Sequence, residues 1–220
     1  MRKDWKTTAM VIFAGMIGFT ACSNEEGTTP TGPEEGSYVL QGNITENRTL
    51  EAGKVYKLTG GVHVKKGATL TIPAGTTISA NYEEDIPYLL IEQGAKIDAQ
   101  GTAENPIIMT SDEKKEGAWG GLHICGYAHT NNSGNTVSEI GNAPYGGNND
   151  EDNSGILRYV RLEYTGKALD EEHEANGVSF YGVGNGTTVE YLQAYKGSDD
   201  GFEFFGGSVN VKHMVVTSCS

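Results

Sequence analysis

Three stretches decide the fold when they are laid over one another: Leu157–Gly166, "LRYVRLEYTG"; Val189–Ser198, "VEYLQAYKGS"; and Val211–Ser220, "VKHMVVTSCS". Apolar residues recur at matching places, giving the columns Leu157/Val189/Val211, Val160/Leu192/Met214 and Leu162/Ala194/Val216, all expected to point inward. Between them Arg158, Glu190 and Lys212 form an outward column of alternating charge, in which neighbours attract if the strands stack about 4.8 Å apart. Tyr159, Tyr191 and His213 make a third kind of column, expected at a bend, where His213 reads as a stacked structural residue rather than a ligand. A second pair, Asn176–Gly184 ("NGVSFYGVG") and Asp200–Ser208 ("DGFEFFGGS"), repeats at an offset of 24 residues, against 22 from Val189 to Val211. Repeats of this length, each holding several short strands bounded by Gly, Asn and Asp, indicate a solenoid.

Outward from these copies the same grammar continues. The segments "YKLTGGVHVKKGATLTIPAGTTISA", "YLLIEQGAKIDAQGTAENPIIMTS" and "AWGGLHICGYA" alternate β-branched and polar residues, and no window carries a helical period. The expected fold is all-β, a right-handed parallel β-helix spanning 38–220, with about five to seven coils of roughly 22 residues each.

The N-terminus reads differently. Arg2, Lys3 and Lys6 precede an apolar run from Ala9 to Phe19 that is too short to cross a bilayer, so residues 1–21 are expected to be a signal peptide. Its end, Phe19-Thr20-Ala21-Cys22, resembles a bacterial lipobox, which makes Cys22 the expected lipidated residue and outer-membrane lipid its partner. Residues 22–37, "CSNEEGTTPTGPEEGS", hold almost nothing apolar to bury and read as a flexible acidic tether.

Charge narrows the function. The 220-residue chain has 16 Lys and Arg against 29 Asp and Glu, a net charge of −13, so nucleic acid would be repelled by the average field. Loss of residues 1–21 removes three bases and one acid, leaving 13 against 28, or −15. Cys125 and Cys219 then remain, and they are expected to be unpaired, small apolar side chains rather than a disulfide.

The long motifs "IEQGAKIDAQGTAENPIIMTS", "GAWGGLHICG", "EIGNAPYGGNN" and "ANGVSFYGVGNGTTVEYLQAYKGSDDGFEFFGGSVNVKH" resemble a family of right-handed β-helix lipoproteins of Bacteroidota, related in fold to pectin lyase. The likeness covers nearly everything from Tyr88 to His213. It implies export to the cell surface, and the acids just after Cys22 resemble the surface-export signal of such lipoproteins. No established activity comes with it. Members of that family continue past the place of Ser218, so the resemblance also implies a C-terminally incomplete coil stack, and a non-functional fragment is one reading of the chain.

Candidate chemistry is sparse. Asp199, Asp200 and Glu203 in "GSDDGFEFFGG" supply carboxylates faintly like the acidic motif of polygalacturonase-type hydrolases. Stacking sets Asp200 over Asn176 and Glu203 over Ser179, so the neighbouring coil offers no second carboxylate. Phe202 and Phe204 are expected over Val178 and Phe180 as core. Asp150 and Asp152 open an EF-hand-like run, but Arg161 stands where the bidentate Glu is required, leaving calcium held with an adjacent coil as the alternative. Glu171 and His173, in the acidic insertion "ALDEEHEANG", could bind a divalent ion. Trp119, flanked by glycines, either packs at a coil end or presents its indole to a sugar. The leading expectation is a non-catalytic, surface-anchored β-helix with a binding or adhesion role, with glycan as the candidate partner. The alternative is a calcium-assisted polysaccharide lyase or hydrolase.

Overall fold

The computed structural model describes residues 38–81, 85–132, 136–168 and 175–220, which belong to one compact unit, Glu35–Ser220. The signal peptide, Cys22 and the tether lie outside the described residues, as do Glu171 and His173.

Each coil contributes strands to three faces. The first face stacks the leading halves of β1 (Val39–Ile44) and β3 (Val55–Val64), then β5 (Thr77–Asn81), β8 (Ile107–Ser111), and the second halves of β12 (Gly155–Glu163), β14 (Thr188–Tyr195) and β16 (Asn210–Thr217). The second face takes the remainders of β1 and β3, then β6 (Tyr88–Ile91), β9 (Leu122–Cys125), β13 (Val178–Tyr181) and β15 (Phe202–Phe205). The third runs β2 (Arg48–Thr49), β4 (Thr69–Pro73), β7 (Lys96–Gln100) and the first halves of β12, β14 and β16. Every one of these pairings is parallel, and the chain winds as a right-handed parallel β-helix.

Alternation makes the bore. On the second face Val64, Ile91, Ile124, Phe180 and Phe204 follow one another in register, and the first four are fully buried. Burying such a side chain stabilises the fold by about 1.5–3 kcal/mol, so the bore is the main source of stability. Phe180 and Phe204 stack with centroids 4.9 Å apart. The three copies align as expected, Leu157 on Val189 on Val211 and Val160 on Leu192 on Met214. Arg158 donates to Glu190 at 2.6 Å, and Lys212 follows Glu190 in register.

In the last rungs the register holds while burial fails. Phe204 is 45% exposed and Val216 53%, because among the described residues no strand covers the far side of β15 or β16. These two therefore depart from the fully inward reading. Trp119 is settled in the other direction: it is 1% exposed within the core, its indole N–H donating to the Glu163 carbonyl at 2.8 Å, so it presents nothing to a sugar. Cys125 and Cys219 are both free, and burial pushes the Cys125 thiol up to about 12.

The bend column has a backbone cause. Tyr159, Tyr191 and His213 sit at φ of 48°, 57° and 56°, a left-handed conformation that costs a non-glycine residue about 1–2 kcal/mol. Their rings offset part of that cost. Tyr159 stacks on Tyr191 at 4.4 Å, and Tyr191 on His213 at 4.3 Å.

One excursion leaves the coils. After β9 the chain runs out over the second face, forms a short antiparallel hairpin of β10 (Thr136–Val137) and β11 (Pro144–Tyr145), and returns at β12. This flap is seated by a small core of its own, Leu90, Cys125, Ala143 and Tyr181, outside the bore. Its re-entry point, Gly155, has φ of 120°, and a Cβ there would lie 1.8 Å from the Ile97 carbonyl oxygen, so only glycine fits.

Candidate functional site

The outward positions of the second face carry the polar residues, and the flap decides which of them meet. In register, His63, Leu90, His123, Ser179 and Glu203 form one outward column. Its lower end is a closed network. Glu92 accepts from His63 Nδ1 at 2.8 Å and from Lys65 Nζ at 2.5 Å, while His63 Nε2 meets the Tyr88 hydroxyl at 2.8 Å. Against its desolvation, which pushes the other way, the hydrogen bonds from Lys65 and His63 hold Glu92 below the usual carboxylate range.

Higher up, His123 is 1% exposed, its Nε2–H donating to the Gly120 carbonyl at 2.5 Å and its Nδ1 unpartnered. Its ring lies between Tyr88 and Tyr181. Burial lowers its pKa to about 4, so it is neutral at pH 7.

At the top stands Glu203, whose carboxylate accepts a short hydrogen bond from the buried Asn176 amide, which also reaches Ser179. The adjacent coil sets Ser179 and no carboxylate opposite Glu203, as expected; a second carboxylate comes instead from the flap, where Glu139 lies near enough for its charge to act on Glu203. Desolvation first, then repulsion from Glu139, Asp200 and Asp199, raises the Glu203 pKa against the lowering effect of Asn176. Glu139 also accepts from the Tyr181 hydroxyl at 3.3 Å. Asp200 holds the corner through its backbone, its carbonyl accepting from Gly177 N at 2.9 Å, and its side chain is exposed; Asp199 is half-buried. Asp199, Asp200 and Glu139 thus lie near enough for their charges to act on Glu203.

The acids proposed for calcium are engaged elsewhere. Asp150 accepts from the His129 backbone N–H at 3.0 Å and its ring at 2.6 Å, and Asp152 accepts from Tyr127 N and Ser154 Oγ. Both tie the start of the flap to its return. Among the described residues no group of three or more His, Cys, Asp and Glu side chains is gathered as for a metal ion. These bonds occupy Oδ1 of Asp150 and Oδ2 of Asp152.

The flap also creates concave surface. One cleft of about 660 Å³ lies along the hairpin, floored by Tyr145, Gly146 and Gly147 and walled by Gln93, Thr130, Asn132 and Thr136. A second of about 400 Å³ shares Thr130, Asn132 and Tyr145 with it and continues to His129, Asn131, Phe204 and Phe205. Tyr145 is braced for this role: its ring packs on Tyr181 at 5.0 Å and on Phe205 at 6.5 Å, and those two stack at 4.4 Å. Gln93 braces the floor, its amide donating to the Gly126 and Gly146 carbonyls at 2.8 and 2.9 Å. An aromatic floor bordered by amides and hydroxyls offers apolar contact to a ring and hydrogen bonds to its substituents.

Sequence reading passed over Tyr145 and Glu139, although both stand in or beside "EIGNAPYGGNN". The available signal was a run of turn residues around an isolated aromatic, outside the repeat.

No curated protein and no solved structure matches the chain. The model of one family does, over residues 42–220, under the description "Pectate-lyase like beta helix domain". With that match running along nearly the whole coil stack, and the parallel three-faced winding beneath it, the chain belongs to the pectate-lyase-like β-helix family.

Proposed function

We propose that this protein is a non-catalytic glycan-binding lipoprotein of the bacterial cell surface, exported by residues 1–21, anchored in the outer membrane through Cys22 and of Bacteroidota type. The observation that carries the binding reading is the paired cleft, in which Tyr145 and Phe205 offer ring surface beside Asn131, Asn132 and Thr130. Its volume lies in the range of small-ligand sites, roughly 300–1,000 Å³. The anchor reading rests on the lipobox-like Phe19–Cys22 and the acidic tether. The test is direct: full-length protein is titrated with a panel of oligosaccharides by calorimetry, and Cys22→Ala is followed by labelled-palmitate incorporation. Saccharide binding with loss of label in the variant is expected. Absence of any binding overturns the first half, and retained label overturns the second.

A second reading, a glycoside hydrolase or lyase, is favoured by one observation: Glu203 is held toward its protonated form beside Glu139, as a general acid beside a second carboxylate would be. Product release from any glycan by the parent protein, abolished in Glu203→Gln, would establish it.

A further inference from the structure

Resting on the glycan-binding reading above, we infer that the cleft under Tyr145 selects an uncharged saccharide and rejects polyuronates. The charge pattern carries this. Among the residues lining the two clefts there is no Lys, Arg, Asp or Glu, although the chain as a whole carries −13. The one cationic candidate on the rim, His129, is already bonded to the Asp150 carboxylate at 2.6 Å.

A uronate bound here would leave its carboxylate without a cation or a metal. Desolvating a charged group without a partner costs more than the contacts of one sugar ring return. It would also approach a surface whose mean field repels it, with Asp150 at one side and Glu203 and Glu139 on the same face of the stack. A protonated amino sugar would be drawn by that field but would find no carboxylate among the lining residues to pair with. What remains matched is hydroxyl chemistry: Asn131, Asn132 and Thr130 can each both donate and accept, as a sugar hydroxyl does, while Tyr145 and Phe205 take the C–H face of a ring.

The experiment compares full-length protein on immobilised polygalacturonate and on the same polymer fully methyl-esterified, together with cellohexaose, mannohexaose and xylohexaose. At least one uncharged probe is expected to bind at least tenfold more tightly than polygalacturonate. Asn132→Lys, on the exposed rim, is expected to shift the preference toward polygalacturonate by about tenfold. Asn132→Ala should weaken the uncharged probe, with the unfolding midpoint unchanged as the control for folding. Polygalacturonate binding as well as or better than every uncharged probe overturns the inference and leaves glycan binding standing. No binding to any probe overturns both.

Discussion

Tyr191 shows two opposed energies at one residue. Its backbone is strained at φ of 57°, and its ring is stacked on both sides by Tyr159 and His213. Tyr191→Ala keeps the strain and loses both stacks, whereas Tyr191→Gly loses the stacks but relieves the backbone. Glycine is therefore expected to be the milder change, by about 1 kcal/mol, in urea unfolding. His123 gives a pH signature. Its folded pKa, about 4, lies below the unfolded 6.5, so between these values the unfolded chain binds the proton that the native chain excludes. Stability from this group is complete above pH 6.5 and is lost as pH falls toward 4, by on the order of 3 kcal/mol. His123→Gln should flatten that part of the stability profile. Glu203 has the opposite sign: its raised pKa means stability falls as pH rises above the unfolded carboxylate value. Glu203→Gln, which removes the repulsion from Glu139, Asp199 and Asp200, is expected to raise the unfolding midpoint at pH 7.

At the scale of elements, the coils and the flap are held by different amounts of core. The bore runs through every rung, while the flap rests on Leu90, Cys125, Ala143 and Tyr181. Hydrogen exchange at Ser138 and Gly146, whose amides bond to Ala143 and Gly126, should be faster than at Ile124 in β9. The hinge where the flap rejoins the stack is unforgiving. Gly155→Ala places a methyl group on the Ile97 carbonyl and is expected to cost about 3 kcal/mol or more, read as a lowered midpoint or loss of soluble protein. Equal unfolding curves for this variant and the parent would contradict the β7–β12 junction. The strands of the repeat were legible because like side chains stack on like: Leu157 on Val189, Phe180 on Phe204. The flap was not, because Tyr145 packs on Tyr181 and Glu139 acts on Glu203 across spacings that carry no period.

For the whole molecule, charge is the governing property. A net −13 favours expansion, so stability should rise with added salt as the self-repulsion is screened, with most of the gain below about 0.2 M. A flat response would mean that local pairs such as Arg158–Glu190 and Lys65–Glu92 dominate. By itself the sequence determined the all-β class, the coil period, the strand register, the bend column and the excess of acid, since each is a local or periodic property that repeated rungs amplify. Only the tertiary structure decided that Trp119 is core, that Asp150 and Asp152 hydrogen-bond across the flap, and that the charge of Glu139 reaches Glu203. It alone also placed Tyr145 beside Phe205. All of these except the burial of Trp119 in the bore depend on one aperiodic excursion folding back over a face built from distant coils, and pairing between segments so far apart leaves no pattern along the chain.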